Sequence, residues 1–156
     1  MFISDAMRYE VGVSLYEKLN ADEKCKATLS AMQTVLPSIT MCGMAALLPH
    51  SEYELTADYK VLVDGKLCAS TAERAKIIST YNPKSLCIQY DELKTKKSDE
   101  LKALISGLEV IYVYHNQIDA RGDKAPTEDE VFNACDEAVE EIAYMIRRLT
   151  GTNVTH

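Results

Sequence analysis

The stretch Leu108-Glu-Val-Ile-Tyr-Val-Tyr114 is almost wholly apolar, bounded by Gly107 before it and by His115-Asn116 after it. A strand with apolar residues at successive positions has no face to give to water, so it has to be covered on both sides, as in a parallel sheet flanked by helices. The rest of the chain agrees, because short β-prone stretches alternate with segments of helical spacing. The expected class is therefore α/β, a mainly parallel sheet flanked by helices with a small hairpin insertion.

Phe2 and Ile3 open the chain as a strand of two or three residues. A buried parallel strand usually has about five, and the expectation is that the chain begins inside a larger protein. Met7, Val11, Leu15 and Leu19 then recur at helical spacing, ending around Asn20 to Lys24. Ala27 to Leu36 reads as an extended segment ended by Pro37. A helix is expected from Thr40 through Leu48, halted by Pro49. Between Tyr53 and Ala69 two β-prone stretches flank Asp64-Gly65, a hairpin signal. A helix follows over Thr71 to Tyr81, with Ile77 and Ile78 inward, then a strand over Ser85 to Tyr90. Asp91 to Ser106 reads as a charged, periodic helix with Gly107 as its stop. The last helix starts at a capping box, Thr127 with Glu130, and buries Val131, Ala134, Ala138, Ile142, Met145 and Leu149.

The 156 residues, 47% hydrophobic, suffice for one domain with a real core. A net charge of −7 leaves no excess of cations for a phosphate backbone, which argues against strong direct nucleic-acid binding. Five scattered cysteines without C-x-x-C spacing read as buried thiols in a reducing compartment. No apolar run reaches the roughly 18 residues of a membrane span and no signal peptide opens the chain, so the expected location is cytoplasmic and the expected partners include no membrane.

Three polar segments follow strands or open helices: Ser4 to Glu10, Leu36 to Thr40 and His115 to Asp123. In open parallel sheets ligands bind outside the carboxyl ends of the strands, so these segments can converge on one site. Asp5 can be a turn carboxylate or a metal ligand. Thr40 can cap its helix or, at a helix start that favours anions, act as a nucleophile. Asp119 and Asp123, read as a loop after the apolar strand, can hold a hard or borderline cation or only solvate the loop. Arg8 and Arg121 can present a bidentate fork to phosphate. His115 ends the strand on the same side, in a structural or a substrate-binding role.

The segments SDAMRYEV, LPSITMCGMAALLP and YVYHNQIDARGDKAPTEDEVFNACDEAVEEI resemble the PglZ domain, a member of the alkaline phosphatase superfamily found in phage-defence systems of the BREX and phage growth limitation types. With the intervening spacing the resemblance covers essentially the whole chain. It implies that Asp5 binds one metal, that Thr40 is the nucleophile, and that Asp119 and Asp123 are ligands of a second metal. Asp123 stands where histidine is commoner. Zn²⁺ is the expected cation, with Mn²⁺ as the alternative. The superfamily's later Asp-His-Gly segment and its still later histidine have no match here. The expectation is thus an N-terminal, truncated part of a phosphatase-like fold with about half of a two-metal site.

Two functions follow from the resemblance. One is a metal-dependent phosphatase or phosphodiesterase, incomplete in this fragment; the other is a non-catalytic scaffold whose partners are other phage-defence proteins. Truncation also suggests self-association through a sheet edge, at the strand Leu108 to Tyr114 or its neighbour.

Overall fold

The computed structural model describes residues 1–122 and 128–152. Its main sheet is parallel, in the order β1–β6–β5, from β1 (Phe2–Ser4), β5 (Ser85–Gln89) and β6 (Val110–His115). Ile3 stands beside Tyr114, and Ile88 beside Val113. A second, antiparallel sheet runs β2–β3–β4, from β2 (Tyr53–Leu55), β3 (Val61–Val63) and β4 (Lys66–Leu67).

The apolar run is the middle strand of the parallel sheet, and its alternate residues enter different packing layers. On one face Tyr114 packs with Ile3 and with Met44 and Leu47, which come from α2 (Thr40–Ala46) and the residue after it. Beside this lies a cluster of Cys42, Val61, Val63, Cys68, Ile77 and Ile78, the last two from α3 (Thr71–Tyr81). On the other face Val113, Ile111 and Ile88 pack with Leu93 of α4 (Tyr90–Lys94), Leu101 and Ile105 of α5 (Ser98–Ile105), and Met145 of α7 (Glu128–Thr152). Helix α1 (Tyr9–Asn20) lies along α7, tied by a Lys18–Glu140 ion pair and by Arg147 to Asp22 at 3.2 Å.

Several expectations are corrected. Of the two places expected for a sheet edge, the strand at the apolar run is central, and among the described residues the edges are its neighbours β1 and β5. Residues 27–36 form no strand: Asn20 holds the start of the segment, accepting from the Ala27 N–H at 3.0 Å and donating to its carbonyl at 3.3 Å. The helix expected over Asp91 to Ser106 is two helices. Thr95 Oγ1 donates to the Glu92 carbonyl at 2.8 Å at the end of α4, and the Lys97 N–H donates to Glu100 Oε2 at 2.7 Å to start α5. The residues around Asp119 form a short helix, α6 (Gln117–Gly122), rather than a loop. Asp123 and Thr127, and with Thr127 the capping box, lie outside the described residues.

The hairpin turn forms at Asp64 and Gly65, with φ of 48° and 72°, the pair of left-handed residues a two-residue turn requires. Asp64 does more than turn. Its carboxylate accepts from the Tyr81 hydroxyl at 2.5 Å and from the Ser51 and Glu52 N–H groups at 2.9 Å each, which joins the hairpin to the end of α3. The Tyr81 hydrogen bond, followed by the two backbone donors, holds the Asp64 carboxyl below its ordinary value.

Two outcomes follow. Leu101→Ala, at a fully buried position, lowers the unfolding free energy in urea by about 2–5 kcal/mol. Because the Asp64 pKa is depressed on folding, its contribution is present above the unfolded carboxylate value, about 4, and is lost as pH falls through the folded value. Thermal melts of Asp64→Asn therefore lose less stability than wild type below about pH 4; parallel acid profiles would refute this.

Candidate active site

The carboxyl ends of β1, β5 and β6 share one edge of the parallel sheet, because the three strands run in one direction. Asp5 leaves β1 at this edge, and its N–H donates to the His115 carbonyl at 2.9 Å, extending the β1–β6 ladder by one bond. The next residue, Ala6, has φ of 57° and donates its N–H to Asp5 Oδ1 at 3.0 Å. A side chain in the left-handed region costs about 1–2 kcal/mol. That cost turns the chain sharply, with the carboxylate held at the bend.

Thr40 is the first residue of α2. The N-cap position is taken by Ile39, which makes no side-chain cap, and the Thr40 hydroxyl instead donates to Asp5 Oδ1 at 3.4 Å. Asp5, Thr40, Arg8 and Asp119 all line one open crevice of ≈ 840 Å³. Its apolar wall includes Met44 and Leu47. Arg8 and Asp119 also line a second crevice, ≈ 880 Å³, which includes residues of α1, α6 and α7, so they stand on the divide between the two.

The remaining expected residues are placed differently. His115 is only 1% exposed and does not line either crevice. Its Nε2 lies 3.1 Å from Glu141 Oε2 and its Nδ1 3.0 Å from Ser4 Oγ, with the Tyr90 ring edge-on at 4.9 Å. A carboxylate accepts, so in the neutral ring Nε2–H donates to Glu141 and Nδ1 accepts from the Ser4 hydroxyl. In this position the ring secures the strand ends from which Asp5 departs. Arg121 pairs with Glu137 of α7. Asp123 lies outside the described residues.

Two residues were missed by reading the sequence, Glu141 and Arg74. Arg74 is 9% exposed on α3, with its Cζ 4.3 Å from the centroid of the Tyr114 ring. The spacing held a signal for both. Arg74 precedes the inward pair Ile77 and Ile78 by three and four positions, and Glu141 falls three after Ala138 and four before Met145 on the buried stripe of α7.

As a setting for a divalent cation, Asp5, Thr40 and Asp119 offer oxygen donors of suitable type. Among the described residues no group of three or more His, Cys, Asp or Glu side chains gathers at one point. The donor chemistry fits a cation; the described donors do not fill a coordination shell by themselves.

A parallel sheet between helical layers, with a carboxylate and a hydroxyl meeting at its carboxyl edge, is consistent with an alkaline phosphatase-like fold. The description "BREX system PglZ alkaline phosphatase-like domain" matches residues 1–156, and the chain belongs to this PglZ family. It is 41% identical over 152 residues to the alkaline phosphatase-like protein PglZ of Bacillus cereus (strain H3081.97), covering 97% of this chain and 18% of that protein. It is 40% identical over 160 residues to the alkaline phosphatase-like protein BrxZ of Escherichia coli O9:H4 (strain HS), covering 99% of this chain and 18% of that protein. The chain thus spans about a fifth of the length of these curated relatives. No solved structure matches it. Among the described residues no helix is long and apolar enough to cross a membrane.

If His115 secures the Asp5 turn, removing its ring loosens that turn before the rest of the fold. His115→Ala is expected to cost about 1–3 kcal/mol, because Ser4 and Glu141 lose a shared partner. Amide exchange at Asp5 speeds up by more than exchange at Val113; equal acceleration at both would contradict this.

Proposed function

We propose that this chain carries the nucleophile and the first ligands of a divalent-metal-dependent phosphoryl-transfer site in a bacterial phage-defence protein. The observation that carries the reading is the Thr40 hydroxyl directed at the Asp5 carboxylate, in a crevice that Asp119 also lines. Asp5 and Asp119 hold Zn²⁺, or Mn²⁺ in its place, with further ligands supplied by Asp123 and by parts of the whole protein beyond this chain. When bound, the cation neutralises charge on a phosphoryl group and favours ionisation of a nearby hydroxyl.

The chain's own residues do the rest. Asp5 orients the Thr40 oxygen and accepts its hydrogen bond. Arg8, on the rim, pairs with phosphate oxygens, and Met44 and Leu47 keep one wall of the crevice dry. The Thr40 oxygen bonds to phosphorus as its proton passes to solvent and the bond to the leaving-group oxygen breaks, that oxygen taking a proton from solvent. A water oxygen then bonds to phosphorus, the bond to Thr40 breaks, one water proton returns to the Thr40 oxygen, and the phosphate product leaves. The substrate class is a phosphomonoester or phosphodiester. The setting is the cytoplasm.

A second reading, a scaffold for other phage-defence proteins, is favoured by the apolar side chains exposed on the segment that borders the crevice, with Met32 at 78% and Leu36 at 80%. Self-association through a sheet edge would use β1 or β5.

Thr40→Ala in the whole protein, loaded with Zn²⁺ or Mn²⁺, is expected to abolish turnover of p-nitrophenyl phosphate and its diester. The fold survives, since the lost hydrogen bond contributes about 1 kcal/mol. Wild-type turnover in the folded variant excludes the covalent mechanism. Phage restriction that survives Thr40→Ala but fails in Met32→Asp/Leu36→Asp favours the scaffold.

A further inference from the structure

Arg74 sits where an arginine is costly. Among the described residues it and His115 are the buried polar side chains, and His115 has a hydrogen-bond partner on each ring nitrogen whereas Arg74 has almost none. Its Nη2 donates to Thr71 Oγ1 at 3.4 Å, a long contact to an oxygen that the Gln89 amide already reaches at 2.6 Å. Its Nε is buried without a partner, and so is the hydroxyl of Tyr114, the ring beneath the guanidinium.

No counter-charge appears among the described neighbours. The nearest acid in sequence, Glu73, is turned to the start of α3, where it accepts from the Ser70 N–H at 2.9 Å and from the Ser70 hydroxyl at 3.0 Å. Cys68, Cys87 and Tyr114 sense the Arg74 guanidinium. Burial raises all three, the Cys87 thiol to about 11, and outweighs the pull of the guanidinium, so they remain neutral near pH 7. A buried charge without a partner is strongly unfavourable, and the interaction with the Tyr114 ring offsets only part of that.

The location is also informative. Gln89 is the last residue of β5 and Tyr114 the next to last of β6, so Arg74 lies at the carboxyl edge of the parallel sheet. The Tyr114 side chain packs with Ile3 and Met44, which line the crevice, on the same face of the sheet as α2. The guanidinium is thus on the far side of one layer of side chains from the crevice that holds Asp5 and Thr40, and it does not line that crevice.

We propose that Arg74, with Thr71 and Gln89 beside it, is the seat of a second oxyanion, a phosphate or carboxylate group that docks at the carboxyl edge of the sheet apart from the Asp5–Thr40 crevice. A guanidinium offers paired N–H donors to such a group, and the Gln89 amide and the Thr71 hydroxyl, which meet Arg74 Nη2 at Thr71 Oγ1, are neutral donors beside it. The seat does not rest on the phosphoryl-transfer reading, since it uses none of those residues.

The test is titration of this chain with inorganic phosphate and, separately, with acetate, each balanced by chloride to constant ionic strength. The readouts are thermal melts and the side-chain Nε–H resonance of Arg74, assigned by its loss in Arg74→Lys. Phosphate is expected to move that resonance saturably and to raise the melting temperature by about 4 °C at ten times its dissociation constant. Arg74→Met loses that rise and Thr40→Ala keeps it. A saturable response to acetate alone assigns the seat to carboxylates, a response to phosphate alone assigns it to phosphate groups, and equal responses make it a seat for either oxyanion. If Arg74→Met does not fold, the wild-type resonance decides. A resonance unmoved by either anion overturns the proposal, as does a melting shift that persists in Arg74→Met or vanishes in Thr40→Ala.

Discussion

The burial of β6 on both faces is the constraint on which the rest of the molecule depends. Its residues alternate between two layers, Tyr114 toward α2 and α3, Val113 toward α4, α5 and α7, so neither layer can be assembled without the other. A strand of this kind has to be central, and here it takes β1 on one side and β5 on the other. Because all three run parallel, their carboxyl ends meet at one edge, and the polar residues that follow them are brought together by topology. Asp5 is the clearest case. Three residues of β1 carry it to the edge, and one further backbone bond to His115 continues the ladder up to the turn.

At that edge the polar groups are organised at three depths. His115 is deepest, enclosed by Ser4, Glu141 and Tyr90 behind the strand ends. Asp5 stands at the bend, its carboxylate shared between the Ala6 N–H and the Thr40 hydroxyl. Arg8 is exposed and Asp119 half-buried, and both stand on the divide between the two crevices. Such layering lets a buried, hydrogen-bonded group fix the position of one that has to stay accessible. Arg74 breaks the pattern, being buried and poorly paired, and that is why it points to a ligand.

Much of this was legible in the residues, for reasons that can be named. The apolar run announced a doubly covered strand, Asp64-Gly65 a two-residue turn, and the Thr71 to Tyr81 segment a helix whose inward pair is Ile77 and Ile78. Strand direction brings Asp5, after β1, and Asp119, after β6, to one crevice, as the alternating pattern implied, whereas Thr40 follows no strand and reaches it through the packing of α2 on Ile3 and Tyr114. What stayed hidden was decided by side-chain chemistry across distance. Asn20 satisfies the backbone of Ala27, at the start of the segment expected to be extended, while Thr95 and Glu100 split one periodic stretch into two helices. The central place of β6 depends on β1, whose three residues are too few to announce their pairing by pattern alone. The role of His115, at the end of β6, depends on Glu141, 26 residues away on α7; helical spacing places Glu141 beside the buried stripe, but which group it meets is set by the packing of α7 on the sheet.

The central claim is that the crevice at the carboxyl edge is a metal-dependent site whose first ligand is Asp5 and whose reacting oxygen belongs to Thr40. Anomalous diffraction at the zinc edge, from crystals of the whole protein grown with Zn²⁺, tests it most directly. The account predicts an anomalous peak in the crevice with the Asp5 carboxylate in direct contact and the Thr40 hydroxyl facing it. A zinc position elsewhere in the protein, with Asp5 still turned only to Ala6 and Thr40, would contradict it.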